Sequence, residues 1–535
     1  MKLRLLLPAL LALCLGGGAG AASAPARAVH ALGPTSPSTR ISFALNLKLD
    51  QRRLDRDAAG GTAAPATAAE IGARYGLSLG DERQVERTLA AHGVSVTATY
   101  PQRTEIDAQA TVGSLGKLFG VHFRDYVDAS GAVFYAPNTR PALPVALRPF
   151  VSGIVGLSSR PLALPAALPH GALRPDDAAL AYDVAPLHAR GIDGKGLTIA
   201  IASLEPFPPA EHDSRDDVQT FRKTFHATGP DPQDVKVDGG GAGSDLTEDE
   251  LDLDIASAIA PGAQIMNYEA PKSAAGEVDV FSRIVADGKA KIASFSWGIC
   301  DQGLPSAFRT AVNNALKVAI LRGITVFVSS GDSGSYDCQR SDFGNHELSV
   351  DFPSDLPSVV SVGGTLLSVD SSGNYLREAG WEDPLSNAGG GGGINPDDAA
   401  PAWQVADHIS TGHRVLPDVS ASASSSSGWL VRDFGNWDSF GGTSAATPFW
   451  AASMLLAEQY VAKQGVGRTC FLAPILYKLA LTKQPYAAFH DVRQGGNRYY
   501  PAKVGWDYAT GLGSPDVWNL ARDLAAYVRA HGCTA

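Results

Sequence analysis

The chain has 535 residues, of which 44% are hydrophobic and 19% charged, and its formal net charge is −11. That balance excludes a wholly disordered chain, a coiled coil and a polytopic membrane protein, and the acidity argues against nucleic acid as the main partner. Length alone suggests about three or four domains, and 57 glycines with 34 prolines point to long, ordered loops.

Lys2 and Arg4 precede an apolar run, Leu5 to Leu15, and Ala22-Ser23-Ala24 supplies a small-x-small cleavage pattern. Residues 1–24 are therefore expected to be a signal peptide, and the protein to be secreted, extracellular or periplasmic. Gly16 to Gly18 break the run too early for a membrane span. Loss of Cys14 leaves Cys300, Cys338, Cys470 and Cys533. Four cysteines in an exported chain permit two disulfides in three pairings. Local pairing favours Cys300–Cys338 and Cys470–Cys533, with buried free thiols as the alternative.

A first domain is expected over residues 25–160. Ile41, Phe43, Leu45, Leu47 and Leu49 alternate with smaller or polar residues, the period of a half-buried strand. Residues 81–92 read as a helix closed by Gly93. Strands at 94–99 and 104–110 follow, then a helix at 112–119 and a strand at 121–126. The order β-α-β-β-α-β predicts a ferredoxin-like α+β unit. Residues 161–178 read as a linker rich in Pro, Ala and Leu, and a cleavable linker after a small exported domain suggests a propeptide.

A second domain is expected over residues 179–535. Apolar strands at 197–203, 264–268, 291–297 and 324–330 alternate with helices near 248–260, 276–288 and 305–322. This predicts an α/β domain with a doubly wound, mostly parallel sheet, which binds ligands at the carboxyl ends of its strands.

The nucleophile candidate is Ser444. It lies in Gly441-Gly442-Thr443-Ser444-Ala445-Ala446-Thr447-Pro448, ahead of an apolar helix. Glycines admit close backbone approach, and a Ser at a helix start has its hydroxyl at the positive end of the dipole. An ordinary helix cap is the plainer reading. No His-Gly-Thr occurs, so a histidine base is not expected. Carboxylates fill the gap. Thr247 and Glu250 have capping-box spacing, which starts a helix at 247. Glu248 and Asp252 are four apart, and Ala256 and Ile259 continue their face inward. Glu250 and Asp254 read as a solvated first turn. Asp332, in Ser329-Ser330-Gly331-Asp332-Ser333-Gly334 after a strand, is placed for a ligand or for an Asx-turn.

Taken in order, the motifs resemble those of the sedolisins, the serine-carboxyl peptidases, in their kumamolisin-like, bacterial pepstatin-insensitive branch. The motifs are Glu248-x-x-x-Asp252 ahead of Ala260-Pro261-Gly262-Ala263, then Ser296-Trp297-Gly298, Gly331-Asp332-Ser333-Gly334 and Phe352-Pro353. Val362-Gly363-Gly364-Thr365, Pro417-Asp418-Val419-Ser420 and Gly442-Thr443-Ser444 complete them. The resemblance implies a subtilisin-like catalytic domain behind an activation prodomain that acts as its own inhibitor. It also implies an endopeptidase working on proteins or peptides in acid. Ser444 would be the nucleophile, Glu248 the base and Asp252 its orienting partner. Asp332 would be a protonated oxyanion donor, because an ionised carboxylate there would repel the developing charge.

The resemblance further implies a Ca²⁺ loop. Asp491 and Asp507 would give carboxylate oxygens, and Val492, Lys503 and Gly505 backbone carbonyls. Two aspartates capping turns is the plainer reading. Where many members carry a Glu that extends the acid network, this chain has Ser203, with Glu205 two residues on. The run Gly389 to Gly393 resembles a substrate-binding loop, with a flexible linker as the alternative. A tripeptidyl exopeptidase and a non-catalytic peptide-binding protein are the competing functions. A monomer is the default expectation.

Overall fold

The computed structural model describes residues 30–60, 65–127, 133–159, 173–205, 214–241, 247–383, 386–410 and 412–532. The expected signal peptide, most of the linker and Cys533 lie outside the described residues.

The first domain has the ferredoxin-like sheet, in the order Ser95–Thr99, Glu105–Thr111, Arg40–Leu47, Val151–Val155, antiparallel throughout. Its fourth strand is not the one expected. The stretch at 121–126 forms Phe123–Val127, which instead pairs with His30–Pro34 and Val133–Pro137 in a second, three-stranded sheet. Val151–Val155 takes the edge because its Val151 and Val155 are buried there. Two short helices, Gln51–Ala59 and Ala68–Tyr75, also precede the expected one. Thr67 and Glu70 form a capping box at the second of these.

The second domain is built on a sheet with the strand order Tyr375–Gly380, Val360–Val369, Thr325–Ser329, Ile292–Phe295, Thr198–Ser203, Gln264–Glu269, Gln233–Lys236. Val419–Ser422 also pairs with Val360–Val369. Only Tyr375–Gly380 runs antiparallel. Both faces are covered, as a parallel sheet requires. Alternate strand residues face different cores. Ile199, Ile201, Ile292 and Phe327 meet the helices Thr247–Ile259 and Thr443–Lys463. Ala200, Ala202, Phe295, Val326 and Val328 meet Ala274–Asp287 and Ser306–Arg322. The chain already joins this domain at Leu173, which bridges to Trp429, and the helix Pro175–Ala181 follows.

The first domain docks on the second of these helical layers. Leu54, Ala66, Ile71, Tyr75 and Val155 join its apolar core. Asn46 Nδ2 donates to the Ala307 carbonyl at 3.1 Å and Gln102 Nε2 to that of Ser282 at 3.1 Å. The edge strand comes close because Gly153 has no side chain: a Cβ there would lie 2.9 Å from the Ala307 methyl.

Cys300 and Cys338 form a disulfide. Cys470 is also disulfide-bonded. Among the described residues no helix is long and apolar enough to cross a membrane.

Candidate active site

The four residues expected to carry the chemistry converge at the carboxyl ends of the central strands. Ser444 is the second residue of the helix Thr443–Lys463. Glu248 and Asp252 lie one turn apart on Thr247–Ile259. Asp332 follows the strand Thr325–Ser329. All four are buried in the full-length chain.

Asp332 is held by one oxygen. Its Oδ1 accepts the backbone N–H and the hydroxyl of Thr443, both at 2.8 Å, whereas its buried Oδ2 accepts no hydrogen bond. Burial pushes its pKa up to about 7, against the Thr443 N–H and the Arg340 charge. The loop is shaped for this. At Gly331, φ is +95° and a Cβ would lie 2.5 Å from Asp337 Oδ1.

Asp252 accepts the Ser296 hydroxyl at 2.8 Å. Burial, followed by the nearby charges of Asp249 and Glu205, holds its carboxyl well above the usual range, with the Ser296 bond acting the other way. Glu248 is raised first by burial and then by Asp252, and lowered by the neighbouring Ser444 hydroxyl and by Arg340. Neither Glu248 oxygen has a hydrogen bond of ordinary geometry. The Ser444 hydroxyl donates instead to the Ser296 carbonyl at 3.3 Å. Two adjacent buried carboxyls of this kind hold at least one proton between them.

Several groups here carry roles that the sequence did not assign. Ser296 was visible only as part of Ser296-Trp297-Gly298, with no partner named. Arg340 pairs with Asp351 at 2.7 Å, and its charge reaches both Glu248 and Asp332. Glu205 is buried and its charge acts on Asp252, so a carboxyl two residues beyond Ser203 reaches the acid pair. Ser203 itself favours the ionised form of Asp249.

Three expectations need correction. Glu250 and Asp254 are buried, not solvated. The strand pair Trp429–Asp433 and Asn436–Phe440 packs over this helix, so Arg432 N–H donates to Asp254 at 2.8 Å and Glu250 meets Asp433. Thr247 also turns its hydroxyl to Asp433, so it makes no reciprocal cap with Glu250. Gly389 to Gly393 is neither a flexible linker nor a free binding edge. It is buried, and it supports the loop that carries Asp332: Gly389 N–H donates to the Asp332 carbonyl at 2.9 Å and Gly391 N–H to that of Gly331 at 2.7 Å. A Cβ on Gly391 would overlap the Ser330 carbonyl at 1.7 Å.

Of the five expected calcium ligands, Lys503 adjoins Asp507 and Gly505 adjoins Asp491. Asp507 is buried and accepts the N–H groups of Lys503, Ala509 and Thr510 at 2.8 to 2.9 Å. Asp491 accepts the Gly505 N–H at 3.0 Å and Arg493 Nε at 2.7 Å, and Val492 adjoins it. Lys503 is exposed, which keeps its charge away from the loop interior.

A serine at a helix start, a buried carboxylate pair beside it and a half-held aspartate opposite form the arrangement expected of a serine-type peptidase. The chain matches the pro-kumamolisin activation domain over residues 29–160 and the subtilase family over 239–470. It is 32% identical to kumamolisin of Bacillus sp. (strain MN-32) over 482 residues, 83% of each protein. It is 30% identical to sedolisin of Pseudomonas sp. (strain 101) over 494 residues, 84% of this chain and 80% of that one. The solved structure of Pseudomonas sedolisin, a serine-carboxyl proteinase complexed with two molecules of pseudo-iodotyrostatin, aligns with a TM-score of 0.59 and 28% identity. It covers 68% of this chain and 100% of that one. The chain belongs to the sedolisin family of serine-carboxyl peptidases and carries the family's prodomain.

Proposed function

We propose that this protein is an exported, acid-active endopeptidase made as a zymogen. The observation that supports this most directly is Asp332, whose Oδ1 is fixed by Thr443 while Oδ2 is left without a donor. A neutral carboxyl held this way can present an O–H to an oxyanion.

In this reading Ser444 Oγ attacks the carbonyl carbon and Glu248 takes the hydroxyl proton. Asp252, held by Ser296, orients Glu248. Asp332 donates from Oδ2 to the oxyanion. Collapse of the tetrahedral intermediate breaks the C–N bond, and Glu248 returns the proton to the leaving amine. Water then hydrolyses the acyl-enzyme through the same groups. Burial is the largest influence on both Glu248 and Asp252 and raises both, so in the full-length chain the pair holds at least one proton. Uncovering the site hydrates it and frees one member to act as base.

The sign of the pH dependence follows from Asp332. Below about 7 its carboxyl is neutral and donates; above that it ionises and repels the oxyanion. Activity is therefore lost as pH rises, and hydration of the uncovered site moves that limit down.

The loop at 491–507 is proposed as the Ca²⁺ site. Asp491 and Asp507 would hold the ion with the carbonyls of Val492, Lys503 and Gly505. It offers only oxygen donors, which suits a hard cation. Asp507 Oδ2 and Asp491 Oδ1 each take one N–H and keep a lone pair for an ion. The ion would tie the loop together and supplies no step of the reaction.

The test is cleavage of a denatured protein from about pH 3 to pH 8 by the processed enzyme, with Ser444→Ala as control. Acid-limited cleavage that vanishes in the control supports the reading. Equal cleavage at neutral pH overturns the role of Asp332. Release of tripeptides alone would assign a tripeptidyl exopeptidase.

A further inference from the structure

Outside the candidate catalytic groups, a second set of carboxyls is buried where the prodomain meets the catalytic domain. Glu105 and Asp107 come from the prodomain strand Glu105–Thr111, and Asp279 from the catalytic-domain helix Ala274–Asp287. Their relative exposures are 2%, 3% and 1%. One oxygen from each lies within 4.8 Å of those from the other two.

These carboxyls lack the donors that such burial demands. Both oxygens of Asp107, Oε1 of Glu105 and Oδ1 of Asp279 accept no hydrogen bond of ordinary geometry. An unmatched buried carboxylate is costly. Burial and the charges of neighbouring carboxyls raise all three pKa values, and no basic side chain is among the influences on them. The Tyr100 hydroxyl lies beside Asp107, the Ser282 hydroxyl beside Glu105, and exposed Asp238 faces all three. A cavity of about 430 Å³ opens onto Asp107, Asp238 and Asp279. The cations lining it are engaged elsewhere. Arg40 donates to Gln109 at 3.0 Å, and Lys272 Nζ lies 4.4 Å from the centre of the Trp297 ring.

We infer that Glu105, Asp107 and Asp279 bind a divalent cation of the calcium class that ties the prodomain to the catalytic domain. The geometry fits. Ca²⁺ takes oxygens at about 2.3–2.6 Å, so oxygens on opposite sides of one ion lie up to roughly 5 Å apart, and the three here fall within that span. Carboxylates from both sides of the interface then become ligands of one charge instead of repelling across it. Tyr100, Ser282, Asp238 and water are near enough to complete an oxygen shell. Because the ligands come from two domains, loading the site favours the docked form.

The test uses the full-length Ser444→Ala chain, which cannot process itself, stripped of metal by chelation. Bound Ca²⁺ is counted by equilibrium dialysis at about 1 mM free ion, where exported calcium modules load. The Asp107→Asn/Asp279→Asn version is expected to bind one Ca²⁺ fewer per chain. That difference persists when Asp507→Asn is added to both chains, which separates this site from the C-terminal loop. Added Ca²⁺ raises the Tm of the parent more than that of the double variant. Glu105→Gln alone gives a milder second reading, with loading expected to weaken at least about tenfold. Equal Ca²⁺ counts, or unchanged loading in Glu105→Gln, would overturn the site and leave these carboxyls sharing protons.

Discussion

The two buried acid clusters are built from the same residue types and differ in what surrounds them. At the candidate active site each aspartate has a dedicated donor, Ser296 for Asp252 and Thr443 for Asp332, and Arg340 adds a positive charge within range. At the prodomain interface Glu105, Asp107 and Asp279 have mainly one another. Burial raises pKa values in both places, but only the first set has its protons steered to particular atoms. A carboxyl becomes a reagent when one oxygen is fixed and the other left exposed to the reaction. Carboxyls gathered without donors call for a proton or a cation.

The largest test of that contrast is at Asp332. Asp332→Ala should lower kcat about 10²–10³-fold, the cost of losing one oxyanion donor. Asp332→Asn should keep part of that activity through its amide and lose the decline toward neutral pH. Rate profiles on a peptide substrate read both. A variant that keeps the wild-type profile would remove Asp332 from the mechanism.

Stability against pH comes next. Asp249 and Glu277 are buried and their pKa values are raised to about 8; that of Glu458 is raised to about 7. A folded-state pKa above the unfolded one contributes stability that is complete below the unfolded value, near 4, and lost as pH rises through the folded value. The Ser444→Ala chain should therefore melt at a higher temperature at pH 4 than at pH 8, by calorimetry. The reverse order would show that these groups find compensation on folding.

A smaller effect is expected at Ser296. Removing its hydroxyl leaves Asp252 without that 2.8 Å bond. Ser296→Ala should cost about tenfold in kcat, the worth of one hydrogen bond to a charged group. KM should stay within about twofold, since Ser296 is assigned to the base and not to substrate binding. The smallest effect should come from Lys317, whose bond to Asp55 at 2.7 Å crosses the domain interface at a half-exposed carboxylate. Lys317→Ala should weaken prodomain inhibition less than about fivefold, as for other surface ion pairs. A larger loss would mean that docking relies on rim charges more than on the buried contacts.

Much of the active site was legible because its residues sit in short local patterns. Gly442-Thr443-Ser444, Gly331-Asp332 and Glu248-x-x-x-Asp252 each describe a strand end or one helix face, and the sheet brings them together. The central strands were legible for the same reason, as continuous apolar runs buried on both faces. Glu250 and Asp254 were misread because an acidic first turn usually faces water. The strand pair that buries them lies about 180 residues further along the chain. The fourth prodomain strand was misassigned because 121–126 alternates apolar with polar residues as a half-buried strand does, and only packing decides which short strand joins the sheet.

By itself the sequence determined the candidate catalytic residues, the parallel sheet, the local disulfide Cys300–Cys338 and the existence of a separate first domain. Each rests on interactions between residues near in sequence or on a repeating pattern. The tertiary structure decided what surrounds those groups: Ser296 on Asp252, Thr443 on Asp332, Arg340 between its carboxylates, and two prodomain acids facing Asp279. Donors, charges and burial act through space at distances of a few ångströms, and no local pattern records which distant residue will arrive there.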